Sequence, residues 1–390
     1  MNMRMKKNQI RIGTYYLQPY ARSEDHVRDL AQCGIDFVIG VERDGKLLDL
    51  LEQYQVGAIV NRVVPGWFGG NGANAGTMAE KNPLEAYETA ARSFQDHPAI
   101  WGIDIGDEPS CLDFSHYGRV AELVERAFPK QFAYLNLYAG YGMVASAGTE
   151  QAALELGTGD YSHYLKEYCR CVQLDYLCFD HYMFTTGHDR LINDLRTAAT
   201  VAGAYGRELW VVLQVNSLDP QVYLSEDQLY LQAFTALAFG ARCISWACYT
   251  PGWWHNHVLD RNGQKTEQYE KLKRVNAGIH SLSDVYMRYR AEQTLWLKAG
   301  EECRNWGCFQ QIRIGEGGSV LLGLLADALG GEDRAIFLAA GQTGDVRLCL
   351  KTGRRLLFRD GVTVTGLEPD SDGMVELAIS CCRGGILAEV

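Results

Sequence analysis

The sequence predicts an α/β fold: a (β/α)8 TIM barrel over residues 1–284 and a C-terminal antiparallel β-sandwich over 285–390. Three observations predict it. Eight apolar runs alternate with eight helix-like segments over about 280 residues, the repeat expected of a barrel of βα units. The runs are continuously apolar, as strands covered on both faces are. From about residue 285 the pattern changes to short alternating segments between Gly-rich or acidic turns, which reads as sandwich strands. A doubly wound open sheet is the competing arrangement, and the absence of a Gly-rich phosphate loop after any early strand counts against it.

Residues 10–17 alternate and end in Tyr15-Tyr16, the first strand. Ser23-Glu24-Asp25 supplies a cap and early acids for a helix to residue 32, stopped by Gly34. The second strand covers 35–41, with Glu42 just past it, and residues 46–54 are helical. The third covers 56–64, with Asn61 and Arg62 near its end and Pro65-Gly66 closing it. The loop 66–76 is rich in Gly and Asn yet carries Trp67 and Phe68. A loop that long in a compact domain reads as a substrate-facing insertion. Asn82-Pro83 opens a helix to Phe94, and the fourth strand, from Ile100, stops at Gly106 and sets Asp107, Glu108 and Pro109 side by side.

A helix over 115–127 and a fifth strand over 131–138 follow. After a helix over 161–171, the sixth strand (174–179) runs into Asp180-His181-Tyr182. A helix over 189–205 precedes the seventh strand, 209–215, with Gln214 and Asn216 at its end. Ser225-Glu226-Asp227 starts the next helix, to Phe239. The eighth strand, 243–248, leads into Tyr249-Thr250-Pro251-Gly252-Trp253-Trp254-His255. The sandwich strands are read at 310–314, 319–325, 335–339, 346–351, 356–358 and 374–379, and no site is assigned to them.

The net charge of -11, with no Lys/Arg-rich block to offset it, argues against a nucleic-acid partner. Residues 1–9 are basic and polar without a following apolar segment, and no run of 18 apolar residues occurs. The expectation is a cytoplasmic protein with no membrane partner. The twelve cysteines are scattered (Cys33, Cys178, Cys243, Cys349) and read as buried free thiols in a reducing compartment. Cys169-x-Cys171 and Cys381-Cys382 lack zinc spacing, and His181 has no second histidine at ligand spacing. No metal and no cofactor is therefore expected; homo-oligomer formation is left open.

Burying one carboxylate at a strand end is costly, and two together resist joint ionisation, so one tends to keep its proton. A protonated acid beside an ionised one is what acid/base chemistry at a glycosidic bond requires. The bland alternative is that Asp107 and Glu108 cap a helix opened by Pro109. In a barrel the other strand ends face the same pocket: Tyr15 and Tyr16, Glu42, Asn61 and Arg62, Asn136 and Tyr138, Asp180 with His181 and Tyr182, Gln214 and Asn216, Trp246 and Tyr249. Carboxylates, amides and aromatics dominate and lysine is absent, the composition of a carbohydrate site. Trp246 has an equally good reading as core, and Glu42, beside Arg43, as a solvated surface acid.

At these residues the chain resembles the clan A glycoside hydrolases, the superfamily of β-galactosidases and cellulases. The resemblance covers about three quarters of the chain: the barrel, Gly106-Asp107-Glu108-Pro109, the aromatic run after strand eight, and the segment 259–269 leading into Asn276. It implies that Glu108, matching the Glu of the family's Asn-Glu-Pro motif, is the general acid. Two departures stand out: the Asn before the acid is Asp107, and the strand-seven nucleophile position holds Gln214.

Three mechanisms remain. Asp180 acts with Glu108 as base or nucleophile; or Asp107 steers an attacking substrate acetamido group, as the resemblance to substrate-assisted hexosaminidases implies; or the barrel binds sugar without cleaving it. Glu108, Asp180 and Asp107 are the catalytic candidates. Tyr16, Glu42, Asn136, Tyr138, His181, Tyr182, Gln214, Asn216, Trp246, Tyr249 and Trp253 are the substrate-binding candidates, with a carbohydrate or glycoside as ligand. A barrel lyase or isomerase is a weaker reading, for want of a metal site or a Schiff-base lysine.

Overall fold

A computed structural model describes residues 8–69 and 72–390. Residues 1–7 of the basic N-terminal segment, and positions 70 and 71 of the 66–76 loop, lie outside the described residues.

Eight parallel strands form one sheet: β1 (Arg11–Tyr15), β2 (Phe37–Val41), β3 (Gly57–Val60), β4 (Ile100–Asp107), β5 (Phe132–Asn136), β6 (Tyr176–Asp180), β7 (Glu208–Gln214) and β8 (Ala241–Ala247). Their order is β5-β4-β3-β2-β1-β8-β7-β6. The remaining gap is bridged past the end of β5, where Leu137 pairs with Phe179 and its N–H donates to the Cys178 carbonyl at 2.9 Å. The barrel predicted from the apolar runs is therefore present. The expected start signals work locally. Ser23 Oγ accepts from the His26 N–H, and Ser225 forms a capping box with Gln228.

One irregularity matters for the site. Along β4, Asp104 opposes Tyr134, Gly106 opposes Leu135 and Asp107 opposes Asn136, so Ile105 is an extra residue, a bulge. In a regular strand, residues three apart face opposite sides. The bulge re-aims the strand end.

Ten antiparallel strands form the sandwich. The four-stranded sheet runs β10 (Glu302–Trp306), β11 (Phe309–Gly317), β14 (Val346–Thr352), β17 (Met374–Ile379). The six-stranded sheet runs β16 (Val364–Leu367), β15 (Leu356–Arg359), β18 (Gly384–Glu389), β13 (Arg334–Ala340), β12 (Ser319–Asp327), β9 (Tyr289–Lys298). Phe309, Ile312, Leu322, Ile336 and Leu348, all fully buried, make its core. By mutual contacts the chain divides into two compact units: Arg11–Tyr223 with Cys243–Tyr269, and Asn8–Ile10 with Leu224–Arg242 and Glu270–Val390. The helix Glu226–Ala238, which follows β7 in the chain, thus groups with the sandwich strands.

At the N-terminal end of the barrel interior, Trp210 stacks on Tyr176 with centroids 4.0 Å apart and lies under the Arg11 guanidinium. Arg11 pairs with Glu208, which also accepts from Trp210 Nε1 at 2.9 Å. Glu208 is thereby fixed at the end of the barrel away from the strand C-termini.

Candidate active site

β4 ends in a tight construction. Gly106 has no room for a side chain: a Cβ would stand 2.2 Å from Tyr117 Oη and 2.8 Å from the Trp67 carbonyl oxygen. The Asp107 N–H donates to that same Trp67 carbonyl at 2.8 Å, and Phe68 bridges to Asp107. The 66–69 segment of the loop is thus laid along the end of β4. Glu108 takes φ +44° with its N–H on the Asn136 carbonyl at 2.9 Å. A non-glycine residue held in that left-handed region stores strain of the kind found at functional sites. The turn brings Asp107 and Glu108, which a straight strand would point apart, into one electrostatic cluster. Neither caps a helix. Ser110 supplies the following cap, accepting from the Leu112 N–H at 3.4 Å.

Asn136, at the end of β5, joins the acids. Its Nδ2 donates to Asp107 Oδ1 and to Asp180 Oδ1, each at 3.1 Å. Its Oδ1 accepts from the Cys178 thiol at 3.6 Å, and Cys178 continues through Tyr134 to the Tyr15 hydroxyl. A thiol donor on one side and two carboxylates on the other permit only one orientation of the amide. Glu108 and Tyr182 complete the surroundings of Asp180, which is the strongest charged neighbour of both.

Asp107 is exposed and Glu108 half-exposed, while Asp180 is buried. Each nonetheless stands crowded by protein atoms, and the resulting desolvation is the first cause of every shift in the cluster. It pushes Asp107 up to about 6, against the hydrogen bond from Asn136. It takes Asp180 to about 7, with help from the Asp107 charge. Glu108 goes well above the usual carboxyl range through desolvation, then the charges of Asp180, Asp107 and Glu155. Among the described residues, no lysine or arginine stands with their principal electrostatic partners. The arrangement holds a proton on Glu108 and a charge on Asp107 at neutral pH.

Two acids of this cluster carry no signal in the sequence. Asp104, inside a strand, is raised to about 7 by burial and by Asp107, and reaches the cluster because of the bulge. Glu155 lies on the helix Gln151–Leu156 and is fixed by Ser146 Oγ (2.6 Å) and the Met143 N–H (2.8 Å).

The other sequence candidates separate into two groups. Tyr138, Tyr182, Tyr16 and Trp253 surround the acids. Tyr138 feels Glu108 first among its charged neighbours, and its buried hydroxyl has no partner. The Tyr16 ring sits between Gly40 and Gly252, edge-on to Trp253 at 5.8 Å, with Asp107 as its strongest charged neighbour. Trp253 in turn meets Tyr182 at 6.2 Å.

The remaining candidates support walls or face elsewhere. Asn216 is buried and donates to the Trp253 carbonyl at 2.8 Å. Gln214 Oε1 accepts from the Phe184 N–H at 3.3 Å. His181 is fully buried with Nε2 3.3 Å from Asp194, and its pKa is lowered by burial, so it is neutral. Trp246 is fully buried, in register with Thr14 on β1. Tyr249 lies near Cys33, Tyr269 and Asp29 and not among the acids. Glu42 pairs with Arg62 at 2.5 Å, both exposed, outside the cluster.

All twelve cysteines are free thiols. Among the described residues, no group of three or more His, Cys, Asp or Glu could hold a metal ion, and no helix is long and apolar enough to cross a membrane.

The fold is a (β/α)8 barrel followed by an antiparallel β-sandwich, an arrangement shared with solved glycoside hydrolase structures. No protein-family model and no curated relative matches the chain. Among solved structures, a protein described as a glycoside hydrolase aligns over 98% of this chain and 92% of its own at 10% identity, TM-score 0.58. A cycloisomaltooligosaccharide glucanotransferase from Paenibacillus sp., complexed with cycloisomaltoheptaose, aligns over 98% and 85% at 9% identity, TM-score 0.57. At these identities the likeness defines the fold alone.

Proposed function

We propose that the protein is a glycoside hydrolase, its barrel domain holding the catalytic carboxyls and its sandwich following from about residue 285. The observation that carries this reading is the constellation Asp107–Asn136–Asp180–Glu108 at the C-terminal ends of barrel strands, in which Asn136 bridges two carboxyls and the neighbouring charges favour a proton on Glu108. Glu108 gives its proton to the glycosidic oxygen as the bond to the anomeric carbon breaks. The second carboxylate meets the anomeric carbon directly, or takes a proton from the water that attacks it.

Asp107 fits the second role better than Asp180. It is exposed, and the Asn136 amide donates to it, which favours its ionised form. Asp180 is buried, and its charge is the strongest charged influence on Glu108. On this reading Asp180 keeps the proton on Glu108. Tyr16, Tyr138, Tyr182 and Trp253 cover the sugar.

The test compares wild type with Glu108→Gln on aryl glycosides of graded leaving-group acidity. Hydrolysis of poor leaving groups should fall about 10²–10⁴-fold, the usual share of general acid catalysis. With dinitrophenyl leaving groups, which need no proton, the loss should be small. A wild type that cleaves no glycoside, or a uniform loss across leaving groups, counts against the proposal.

A further inference from the structure

A second recess of about 210 Å³ lies in the barrel unit, lined by Tyr223, Trp254, His255, Asp260 and Arg261 among others. It is built rigidly. Ser217 and His255 exchange backbone hydrogen bonds of 3.0 and 2.9 Å, zipping the loop after β7 to the loop after β8. Asn256 Nδ2 donates to Ser217 Oγ and to the carbonyls of Asp219 and Val222 at 2.8–2.9 Å. Trp254 and Asn256, on either side of His255, both take left-handed backbone angles (φ +64° and +58°). Two strained non-glycine residues, over-determined by their surroundings, mark a loop shaped for a purpose other than stability.

The chemistry of the lining is donor-rich. The Asp260 carboxylate is spent on its own turn, accepting from the N–H groups of Asn262 and Gln264 at 2.8 and 2.9 Å. Among the described residues, no hydrogen bond occupies the side chains of His255 or Arg261. His257 Nε2 is taken by the Trp253 carbonyl at 2.8 Å, which leaves His255 without a second histidine for a metal. The recess adjoins the carboxyl cluster through two side chains: Trp254 packs edge-on against Tyr182 at 4.8 Å, and Asp180 and Glu108 are the strongest charged neighbours of Tyr182.

We propose that this recess is a second sugar subsite, holding the pyranose unit next to the one placed over Asp107 and Glu108. Trp254 and Tyr223 cover the apolar C–H face of the ring, while His255 and Arg261 donate to its hydroxyls. The inference rests on the hydrolase reading and adds that the substrate is an oligosaccharide.

The experiment uses the full chain and a panel of 4-nitrophenyl hexopyranosides with their disaccharide counterparts. In wild type, kcat/KM for a cleaved disaccharide glycoside should exceed that of the monosaccharide at least about tenfold. In His255→Ala and in Trp254→Ala, each checked for wild-type circular dichroism and melting, the ratio should fall to within about threefold of one. A wild-type ratio near one, or a ratio unchanged in both variants, overturns the subsite and leaves the hydrolase reading standing. If wild type cleaves none of the panel, the hydrolase reading fails. Calorimetric binding of the disaccharides then decides the recess: weaker binding to His255→Ala supports it, and equal or absent binding overturns it.

Discussion

Glu108 and Asp180 come from β4 and β6, with β5 between them, yet the Asp180 charge is the strongest charged influence on Glu108. Like charges so placed resist joint ionisation, which favours a proton on Glu108. Asn136 on the intervening strand holds Asp180 in place from one side and Asp107 from the other.

This division of charge sets the pH dependence of activity. The second carboxylate must be ionised, so kcat/KM should rise through about pH 6 as Asp107 loses its proton. It should fall only at higher pH, when Glu108 deprotonates. A pH–rate profile from pH 4 to 10 checks both limbs. An acid limb near the ordinary carboxylate range would contradict the assignment.

Asn136→Ala removes a hydrogen bond that stabilises the ionised form of Asp107. The acid limb should therefore move to higher pH, and kcat should drop about tenfold at pH 6, while the fold survives. The profile of the variant, compared with wild type, separates this from a merely structural loss, which would lower the rate without moving the limb.

Asp104 makes a prediction about stability. Its folded pKa of about 7 lies above the unfolded value near 4, so the folded state binds the proton more tightly. The stability this contributes is complete below about pH 4 and is lost as pH rises through about 7. Asp104→Asn keeps the acceptor for the Gly106 N–H and cannot ionise. It should be more stable than wild type by on the order of 2 kcal/mol at pH 8, with no advantage at pH 4, by urea unfolding at the two pH values.

Gly106→Ala places a methyl group against Tyr117 Oη and the Trp67 carbonyl. A loss of about 2 kcal/mol is expected, with activity falling further than stability because the same backbone aims Asp107 and Glu108. Trimming the clash with Tyr117→Phe should not restore either, since the Trp67 carbonyl remains at 2.8 Å from the new Cβ.

The barrel was legible because a strand covered on both faces must be apolar along its whole length. Phe37–Val41 and Gly57–Val60 carry that pattern throughout, whereas Arg11 and Thr14 interrupt it in β1 and Asp104 in β4. The sandwich was legible where strands are buried on one face, as in Val346–Thr352, whose inward residues alternate. The strands Tyr289–Lys298, Glu302–Trp306, Val364–Leu367 and Gly384–Glu389 escaped detection. The first three are too polar or exposed for a hydrophobic period, and the last begins with Gly384-Gly385.

Within the site, Asp107, Glu108 and Asp180 stood out as acids at the ends of apolar runs. Asp104 and Glu155 did not. One reaches the cluster through a bulge and the other from a helix with no marked period, and both are products of tertiary geometry. Tyr249 shared the aromatic signal of Trp253 but has Cys33, Tyr269 and Asp29 as its charged or titratable neighbours, a placement that composition does not encode.

The central claim is that Glu108 is the acid, Asp107 the second carboxylate, and Asp180 the partner that keeps the proton on Glu108. It is tested most directly by azide rescue of Asp107→Gly and Asp180→Gly on a dinitrophenyl glycoside that wild type cleaves. The account predicts that azide restores turnover to Asp107→Gly, with a glycosyl azide among the products, and leaves Asp180→Gly unrescued. Rescue of Asp180→Gly, with none for Asp107→Gly, would contradict it.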